Sequence, residues 1–597
     1  MKSDLKHNFI GYFNFFYGTL GIRFIVDLFL SICVSFLDGI GLAMFIPLLQ
    51  SMDTNGNAGT GSSMGNLQFL IDIFHSLNLP LNIYSVLIML LTLFVFKGLL
   101  KFVQLNSQVH LKQKFIKDIR FELTDDLQNL TYNGFLKQDA GKIQNIITAE
   151  VQKLQVSLNH YLNSVSAVAM LITYVTMAFL ANWQFAMLVA LGSFLSNLLF
   201  SRFVKTVKTA SFKISGKGNA FNAYLIEAVH FFKYLKATNQ FAGFSKKIKK
   251  VINETEDLNK KMGYYQAITA SIREPMVMFI VVAVIIIQLK WMNGSLGSII
   301  LSLLLFYRAL SFLMNYQSWW QSFLQNIGAI QAVSSLSNEM KSEKEVQNTN
   351  PYKGFKSAIE IKNLVFKYGD HAVLNNVDVT IPKNHTIALV GESGSGKTTL
   401  ANIITGILPP AAGSFCIDGV SVSDYNMDSF RGTIGYISQE PVIFKDNVYN
   451  NVTFWAEPTE ENVERFWRVI ELASLTDFVR GLPEQENTGI GDKGMLISGG
   501  QKQRISIARE LYKEAEVLIL DEATSALDSE TELFIQKNIE KLQGNYTLII
   551  IAHRLSTIKK ADKIYMLEKG KVSYSGTFDE LTEKSSRFKR MVSLQQI

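Results

Sequence analysis

The hydrophobic and polar positions of this chain divide it into two unlike halves. Before residue 331 the apolar residues fall in long runs with no alternating polar face, which predicts helices apolar all round instead of the striped helices of a soluble bundle. Hydropathy places such runs at Ile22 to Leu49, Tyr84 to Gln104, Tyr161 to Ala181, Gln184 to Phe203, Ile268 to Leu289 and Leu296 to Trp319. Each is near the roughly 20 residues a helix needs to cross a bilayer, so six spans are expected. Further on, the apolar runs shorten to strand length, as in Thr386-Ile387-Ala388-Leu389-Val390 and Val517-Leu518-Ile519-Leu520, the pattern of parallel strands buried on both faces. The polar run Asn338 to Asn350 separates the two patterns. The expected organisation is a helical membrane domain over 1–335, a linker over 336–356 and an α/β domain over 357–597.

Charge orients the spans. Lys112, Lys114, Lys117 and Arg120 follow the second run, and Arg202, Lys205, Lys208, Lys246, Lys247, Lys249 and Lys250 follow the fourth. The stretch from Ser51 to Asn82 contains no Lys or Arg, so the positive-inside rule places both termini and the basic segments in the cytoplasm. Those segments are helical by pattern, which predicts spanning helices that run well beyond the membrane. The net charge of +7 therefore reads as anchoring beside anionic lipid, and no basic-aromatic module points to nucleic acid. The aromatic run Phe9 to Tyr17 is expected to form a short elbow helix at the interface; its apolar stretch is too long, and lacks the small-residue site, for a cleavable signal. Cys33 and Cys416 fall in different halves and have no Cys/His neighbours that would hold a metal.

The chemistry lies in the second half. Gly391-Glu392-Ser393-Gly394-Ser395-Gly396-Lys397-Thr398, followed by Thr399, satisfies G-x-x-x-x-G-K-[ST] directly after an apolar strand. Its glycines let backbone N–H groups converge on phosphate oxygens, Lys397 reaches the terminal phosphates, and the Thr398 hydroxyl can hold Mg²⁺. About a hundred residues on, the run Val517 to Leu520 ends in Asp521-Glu522, a strand delivering carboxylates at its C-terminal edge. Asp521 is placed to act on Mg²⁺ and Glu522 to polarise an attacking water. Between them lie Gln439, in Tyr436-Ile437-Ser438-Gln439-Glu440-Pro441, and Ile497-Ser498-Gly499-Gly500-Gln501 at the start of a helix.

With Ser525-Ala526-Leu527-Asp528 and His553, this set resembles the ABC ATPase superfamily, and the resemblance to its exporters covers nearly the whole chain. The resemblance implies a six-span exporter-type membrane domain followed by an α/β P-loop ABC ATPase domain. It implies ATP and Mg²⁺ as cofactors, Tyr368 stacking on adenine, Gln439 reaching the metal and water, and His553 sensing the γ-phosphate. Ser498, Gly499, Gly500, Gln501 and Asp528 would complete a site across a dimer. Since one chain holds one phosphate loop and one signature helix, two copies are expected, a homodimer being simplest and a heterodimer an alternative. Gln138 to Lys142 and Glu227 to His230 are the coupling segments the family would place in the cytoplasm. Two departures stand out: Ile497 where Leu is usual, and Asp492 where exporters usually carry Glu.

The cargo is read from intramembrane charge, which is costly and so marks candidate sites. Asp27 and Asp38 sit in the first run, Arg273 and Glu274 at the start of the fifth, and Arg308 inside the sixth. Arg308 could hold a phosphate bidentately or pair with Asp38; Arg273 and Glu274 are expected to pair with each other. The long outer loop, with an apolar face from Leu67 to Leu77, resembles exporters that include bacterial lipid-linked oligosaccharide flippases. The expected function is an ATP-driven exporter or flippase of the bacterial cytoplasmic membrane moving an anionic amphiphile such as a lipid, with peptide or drug export as the alternative. An ATP-gated channel is the reading from another class.

Overall fold

The computed structural model describes residues 9–45, 48, 74, 76, 80, 82–181, 183–291, 296–491, 494–521, 537, 540–552 and 558–595. The chain forms two compact units, Met1–Lys344 and Glu345–Ile597.

The first unit is helical: α1 (Phe9–Leu20), α2 (Ile22–Ala43), α3 (Ile83–Gln128), α4 (Ala140–Asn145), α5 (Val151–Ala181), α6 (Trp183–His230), α7 (Phe241–Trp291), α8 (Leu296–Gln325) and α9 (Ile327–Ser342). Among the described residues, four stretches are long and apolar enough to cross a membrane: Ile22–Ala43, Ile83–Gln128, Ala140–Leu180 and Phe241–Ala283. The expected spans at Gln184 to Phe203 and Leu296 to Trp319 fall on α6 and α8, where many side chains lie outside the described residues. At 1.5 Å per residue the 46 residues of α3 reach about 69 Å, more than twice the roughly 30 Å hydrocarbon thickness. The long extensions read from the basic segments are therefore present. The segment Leu67 to Leu77 lies, apart from Phe74 and Ser76, outside the described residues.

The aromatic run at the start folds as α1 and turns at Gly21, whose φ of 60° suits glycine. Tyr12, Phe16 and Leu20 recur every four residues and are buried. Phe16 meets Tyr161 of α5 at 5.1 Å and Phe115 of α3 at 5.8 Å, and Tyr12 meets Phe323 of α8 edge-on at 5.0 Å. Small residues set the closest approaches among the spans. A Cβ on Gly39 would come within 2.6 Å of Thr173, and one on Gly41 within 3.1 Å of Phe94. These contacts draw the Asp38 turn of α2 against α3 and α5.

α8 and α9 are separated by a break at Asn326, which has φ −106° and ψ 5°. Ser211 of α6 bridges it: its hydroxyl donates to the Gln325 carbonyl at 2.7 Å and accepts from the Gly328 N–H at 3.0 Å. A Cβ on Gly328 would lie 2.6 Å from the Ser211 carbonyl oxygen and 2.7 Å from the Ser215 hydroxyl. Backbone cannot yield cheaply, so Gly328→Ala is expected to destabilise this unit by about 1–3 kcal/mol. A thermal melt of the detergent-solubilised protein checks it; a midpoint equal to the parent's would show that the junction relaxes freely.

The run read as a linker begins inside α9, whose Val333, Leu336 and Met340 are buried on one stripe. Beyond Lys344 the chain packs on the second unit: Glu345 pairs with Arg431, and Phe355 is buried. Cys33 and Cys416 are both free thiols, one in each unit.

The second unit contains an antiparallel sheet in the order β2-β1-β4-β5 and a six-stranded sheet in the order β10-β9-β3-β8-β7-β6. Their strands are β1 (Ala358–Tyr368), β2 (His371–Pro382), β3 (Thr386–Gly391), β4 (Ala412–Ile417), β5 (Val420–Ser421), β6 (Ile434–Ile437), β7 (Val517–Asp521), β8 (Thr547–Ile551), β9 (Lys563–Glu568) and β10 (Lys571–Gly576). β3, β7 and β8 are buried at every position. Alternation assigns their faces. Ile387, Leu389, Ile519 and Ile549 join the core shared with β1, β2 and β4, whereas Ala388, Val390, Leu518 and Ile550 join the core under the helices. Burial on both faces is why these strands read as unbroken apolar runs.

Candidate functional site

The parallel register brings the sequence motifs to one edge. β3 lies beside β8 and β8 beside β7, with Leu389 opposite Ile551 and Ile551 opposite Asp521. Gly391, two residues past Leu389, therefore ends β3 two strands and roughly 12 Å from the end of β7. β6 pairs with β7 through Ile437 and Leu520, so Gln439 follows the same edge and is exposed. Ligands of open α/β sheets bind along such carboxyl ends. Glu522, Asp528 and His553 lie outside the described residues; Glu522 directly follows β7, and His553 comes two residues after Ile551.

The phosphate loop is built on steric necessity. A Cβ on Gly391 would sit 2.2 Å from the Leu567 carbonyl oxygen, and one on Gly396, at φ 101°, 2.6 Å from Leu374. Only glycine lets the chain turn so tightly from β3 into α10 (Lys397–Ile404). The Lys397 ammonium is buried and donates to the Gly391 and Glu392 carbonyls at 2.9 and 3.0 Å. It thus stands at the centre of the loop, on the N-terminal end of α10, where the helix dipole favours anions. Ser395 is buried with its hydroxyl unpartnered among the described residues, while Ser393, Gly394 and Thr398 are exposed and Thr399 is half-buried. Glu392 also pairs with Arg587 of α12 (Ser586–Gln595), and Arg587 reaches Glu568 at 3.3 Å.

Asp521 is buried, and its Oδ2 accepts from the Tyr436 hydroxyl at 2.9 Å. Thr398 hydroxyl, Asp521 carboxylate and Gln439 amide are hard oxygen donors, a set that fits Mg²⁺ shared with nucleotide phosphates. Tyr368 ends β1 and is partly exposed, its ring held edge-on by Phe366 at 4.9 Å. Its face is available to a planar base.

The signature segment opens α11 (Gly499–Tyr512) with a capping box. The Ser498 hydroxyl accepts from the Gln501 N–H, and Gln501 Oε1 accepts from the Ser498 N–H at 2.8 Å. Gly500 is buried, whereas Ser498 and Gly499 are exposed at the helix's positive end. Met495 and Leu496 beside them are 77% and 75% exposed, an apolar lip unusual for a free surface. Asp492 lies outside the described residues.

At its other end α11 is fastened to the start of β6 and to the chain on either side of that strand. Arg509 donates to the Val442 carbonyl at 2.8 Å, and Lys513 donates to the carbonyls of Arg431 and Ile434 at 2.7 and 2.5 Å. Glu510 is buried between them, and burial pushes its carboxyl above the usual range against the pull of Lys513, Arg509 and the Tyr436 N–H. Lys513 is pushed down by burial, opposed by Glu510. The sequence motifs held no trace of Tyr436 and Glu510 as partners. The available signal was a polar-tipped aromatic inside a short apolar strand.

In the first unit, Asp38 gathers side chains from three other helices. Its carboxylate pairs closely with Lys97 of α3, accepts from the Tyr174 hydroxyl of α5 at 2.7 Å, and lies 3.9 Å from the Arg308 guanidinium of α8. Arg308 is half-exposed and stacks over Phe312 at 5.3 Å. Lys97 was not among the charges singled out in the sequence. Asp27 is held differently: Gln108 donates to its Oδ2 at 3.2 Å. Glu274 is exposed, and the Arg273 side chain lies outside the described residues. Of the two expected coupling segments, Gln138 to Lys142 leads into α4, where Gly141 packs against Ala223 of α6, and Glu227 to His230 closes α6.

Sequence comparison agrees with this geometry. Residues 24–314 match the family model of the ABC transporter transmembrane region, and residues 374–525 that of the ABC transporter. The chain is 30% identical over 520 residues to the ATP-dependent lipid A-core flippase of Pseudoalteromonas translucida, covering 85% of this chain and 88% of the relative. It is likewise 30% identical over 501 residues to the heterocyst differentiation ATP-binding protein HepA of a Nostoc species, covering 82% of this chain and 80% of that one. A solved bacterial Atm1-family ABC exporter with ATP bound superposes with a TM-score of 0.80 at 20% identity, covering 97% of this chain and 100% of that structure's chain. The fold and the edge of the sheet define a membrane ATPase. The chain belongs to the ABC transporter family, with an exporter-type fold in which membrane domain and nucleotide-binding domain share one polypeptide, and its ATPase domain hydrolyses ATP to drive transport.

Proposed function

We propose that the protein works as a homodimeric ATP-driven flippase or exporter of the bacterial cytoplasmic membrane, with its ATPase domain in the cytoplasm and an anionic amphiphile as cargo. ATP with Mg²⁺ is bound by Lys397, Thr398 and the loop N–H groups, with Asp521 and Gln439 on the metal side, and Tyr368 against the base. Held there, Mg²⁺ would supply charge neutralisation for the phosphoryl group as it passes to water. Glu522 orients and polarises the attacking water, and His553 contacts the γ-phosphate. Ser498, Gly500 and Asp528 of a second copy close the site; the exposed helix start and its apolar lip, Met495 and Leu496, support that reading.

The observation that carries the cargo class is the Asp38 cluster. Among the described residues, two cations, Lys97 and Arg308, share the Asp38 carboxylate, so the cluster carries one positive charge in excess. In low dielectric such a charge attracts an anion far more strongly than it does in water. Relatives named as ATP-dependent lipid A-core flippases support a lipid as cargo. Arg308 is the looser partner and the half-exposed one, so it is the group that takes a headgroup phosphate.

Arg308→Ala is expected to lower movement of a phosphate-bearing lipid in proteoliposomes by about tenfold or more, the loss of a charge-assisted hydrogen bond, while dimers still form. Full transport by well-folded Arg308→Ala protein would remove the headgroup role. If the pair with Asp38 is structural instead, both Arg308→Ala and Asp38→Ala give low yield and the charge-swapped double mutant recovers it.

A further inference from the structure

The carboxylate expected to face the metal is itself held by a side chain. Tyr436 occupies β6, at the edge of the sheet, and reaches across to β7 so that its hydroxyl donates to Asp521 Oδ2 at 2.9 Å. A carboxylate with one oxygen fixed in this way keeps its remaining lone pairs in one direction. Tyr436 is in turn backed by the last turns of α11, where Glu510 packs against residue 435 and its carboxyl faces the Tyr436 N–H. The approach is possible because residue 435 is glycine. A Cβ there would come within 2.5 Å of Leu518 and 3.1 Å of Glu510 Cβ. Arg509 and Lys513 pin the same turn of α11 to Val442, Arg431 and Ile434. One rigid path therefore runs from the helix that begins with Ser498, through Glu510 and Tyr436, to Asp521.

We infer that Tyr436 is a positioning residue for Asp521, and that Glu510 anchors it from the signature helix, so that the metal-side carboxylate and the helix facing the partner's nucleotide are aligned together. The inference rests on Asp521 serving the nucleotide's metal, as proposed above. Outer-shell partners of a metal ligand commonly matter about tenfold or more for affinity.

The test uses the full-length protein in nanodiscs, saturated with ADP so that nothing is hydrolysed, and titrated with Mn²⁺ while free Mn²⁺ is read by electron paramagnetic resonance. Tyr436→Phe keeps the ring and its packing and is expected to raise the Mn²⁺ Kd about tenfold, with ADP affinity in EDTA unchanged. Glu510→Ala should shift the Kd the same way, and Glu510→Gln, which still offers an acceptor to the Tyr436 N–H, should restore it. Because Glu510 acts through Tyr436, the double mutant should be no weaker than Tyr436→Phe alone. A Kd for Tyr436→Phe within about twofold of the parent overturns the inference, as does a fully additive double mutant. Should Tyr436→Phe fail to fold, equal Mn²⁺ affinities for Glu510→Ala and Glu510→Gln overturn it instead. Asp521→Asn separates the two readings: if it leaves the Mn²⁺ Kd unchanged, the metal assignment itself fails. If it raises the Kd while Tyr436→Phe does not, only the positioning role fails.

Discussion

Glu522→Gln is expected to bind ATP as the parent does and to hydrolyse it at least about a hundredfold more slowly, the usual worth of a positioned general base. β7 is buried throughout and delivers Asp521 to the same edge of the sheet, two strands from the turn that opens the phosphate loop. The next residue in the sequence is Glu522, proposed above to act on the attacking water. Glutamine has nearly the same shape and still accepts a hydrogen bond from water, but it cannot take a proton. Binding, proposed to depend on Lys397 and the loop N–H groups, should survive. ATPase turnover and labelled-ATP retention, measured on the same preparation, check both halves. Steady-state turnover equal to the parent's would remove Glu522 from its role.

The second large effect concerns two chains at once. Lys397→Ala removes the ammonium from the phosphate loop, and Ser498→Arg puts a bulky cation where the capping hydroxyl starts α11, so each homodimer should lack ATPase activity. A heterodimer of the two keeps one site made of an intact loop from one chain and an intact signature from the other. In an equal mixture half the dimers are mixed, with one good site of two, so about a quarter of parental activity is the expected ceiling. Activity no higher in the mixture than in either homodimer, with subunit exchange demonstrated by cross-linking, would defeat the composite site.

The two units differed in how much of them could be read from sequence, for a physical reason. The phosphate loop, the Asp521 strand and the start of α11 are contiguous motifs, since each is a strand end or helix end whose local geometry demands particular residues. Gly391 and Gly396 are examples, as a Cβ at either meets a neighbour at under 3 Å. Strands β3, β7 and β8 were legible because burial on both faces leaves no polar position to disguise them. Long-range pairing left little such trace, the Arg308–Asp38 alternative aside. Lys97 and Asp38 are 59 residues apart, and only the helix crossing allowed by Gly39 and Gly41 brings them together. Tyr436 and Asp521 are 85 apart and meet through sheet order alone. The polar run after Asn338 was read as linker because its charges dominate composition, yet the stripe of Val333, Leu336 and Met340 carries the helix on to Ser342.

The bridge made by Ser211 has a mechanical meaning. Where α8 stops and α9 begins, the hydrogen bonds that would continue a single helix are supplied from the side by α6, so the joint is pinned and not loose. Three rods therefore meet at one pivot. A tilt of α9, the last segment before the chain enters the ATPase unit, cannot be absorbed at Asn326 and must be passed to α8 and α6 alike. One of these carries Arg308; the other ends at His230. A push delivered there is split between the helix that carries Arg308 and the one that closes with Glu227 to His230.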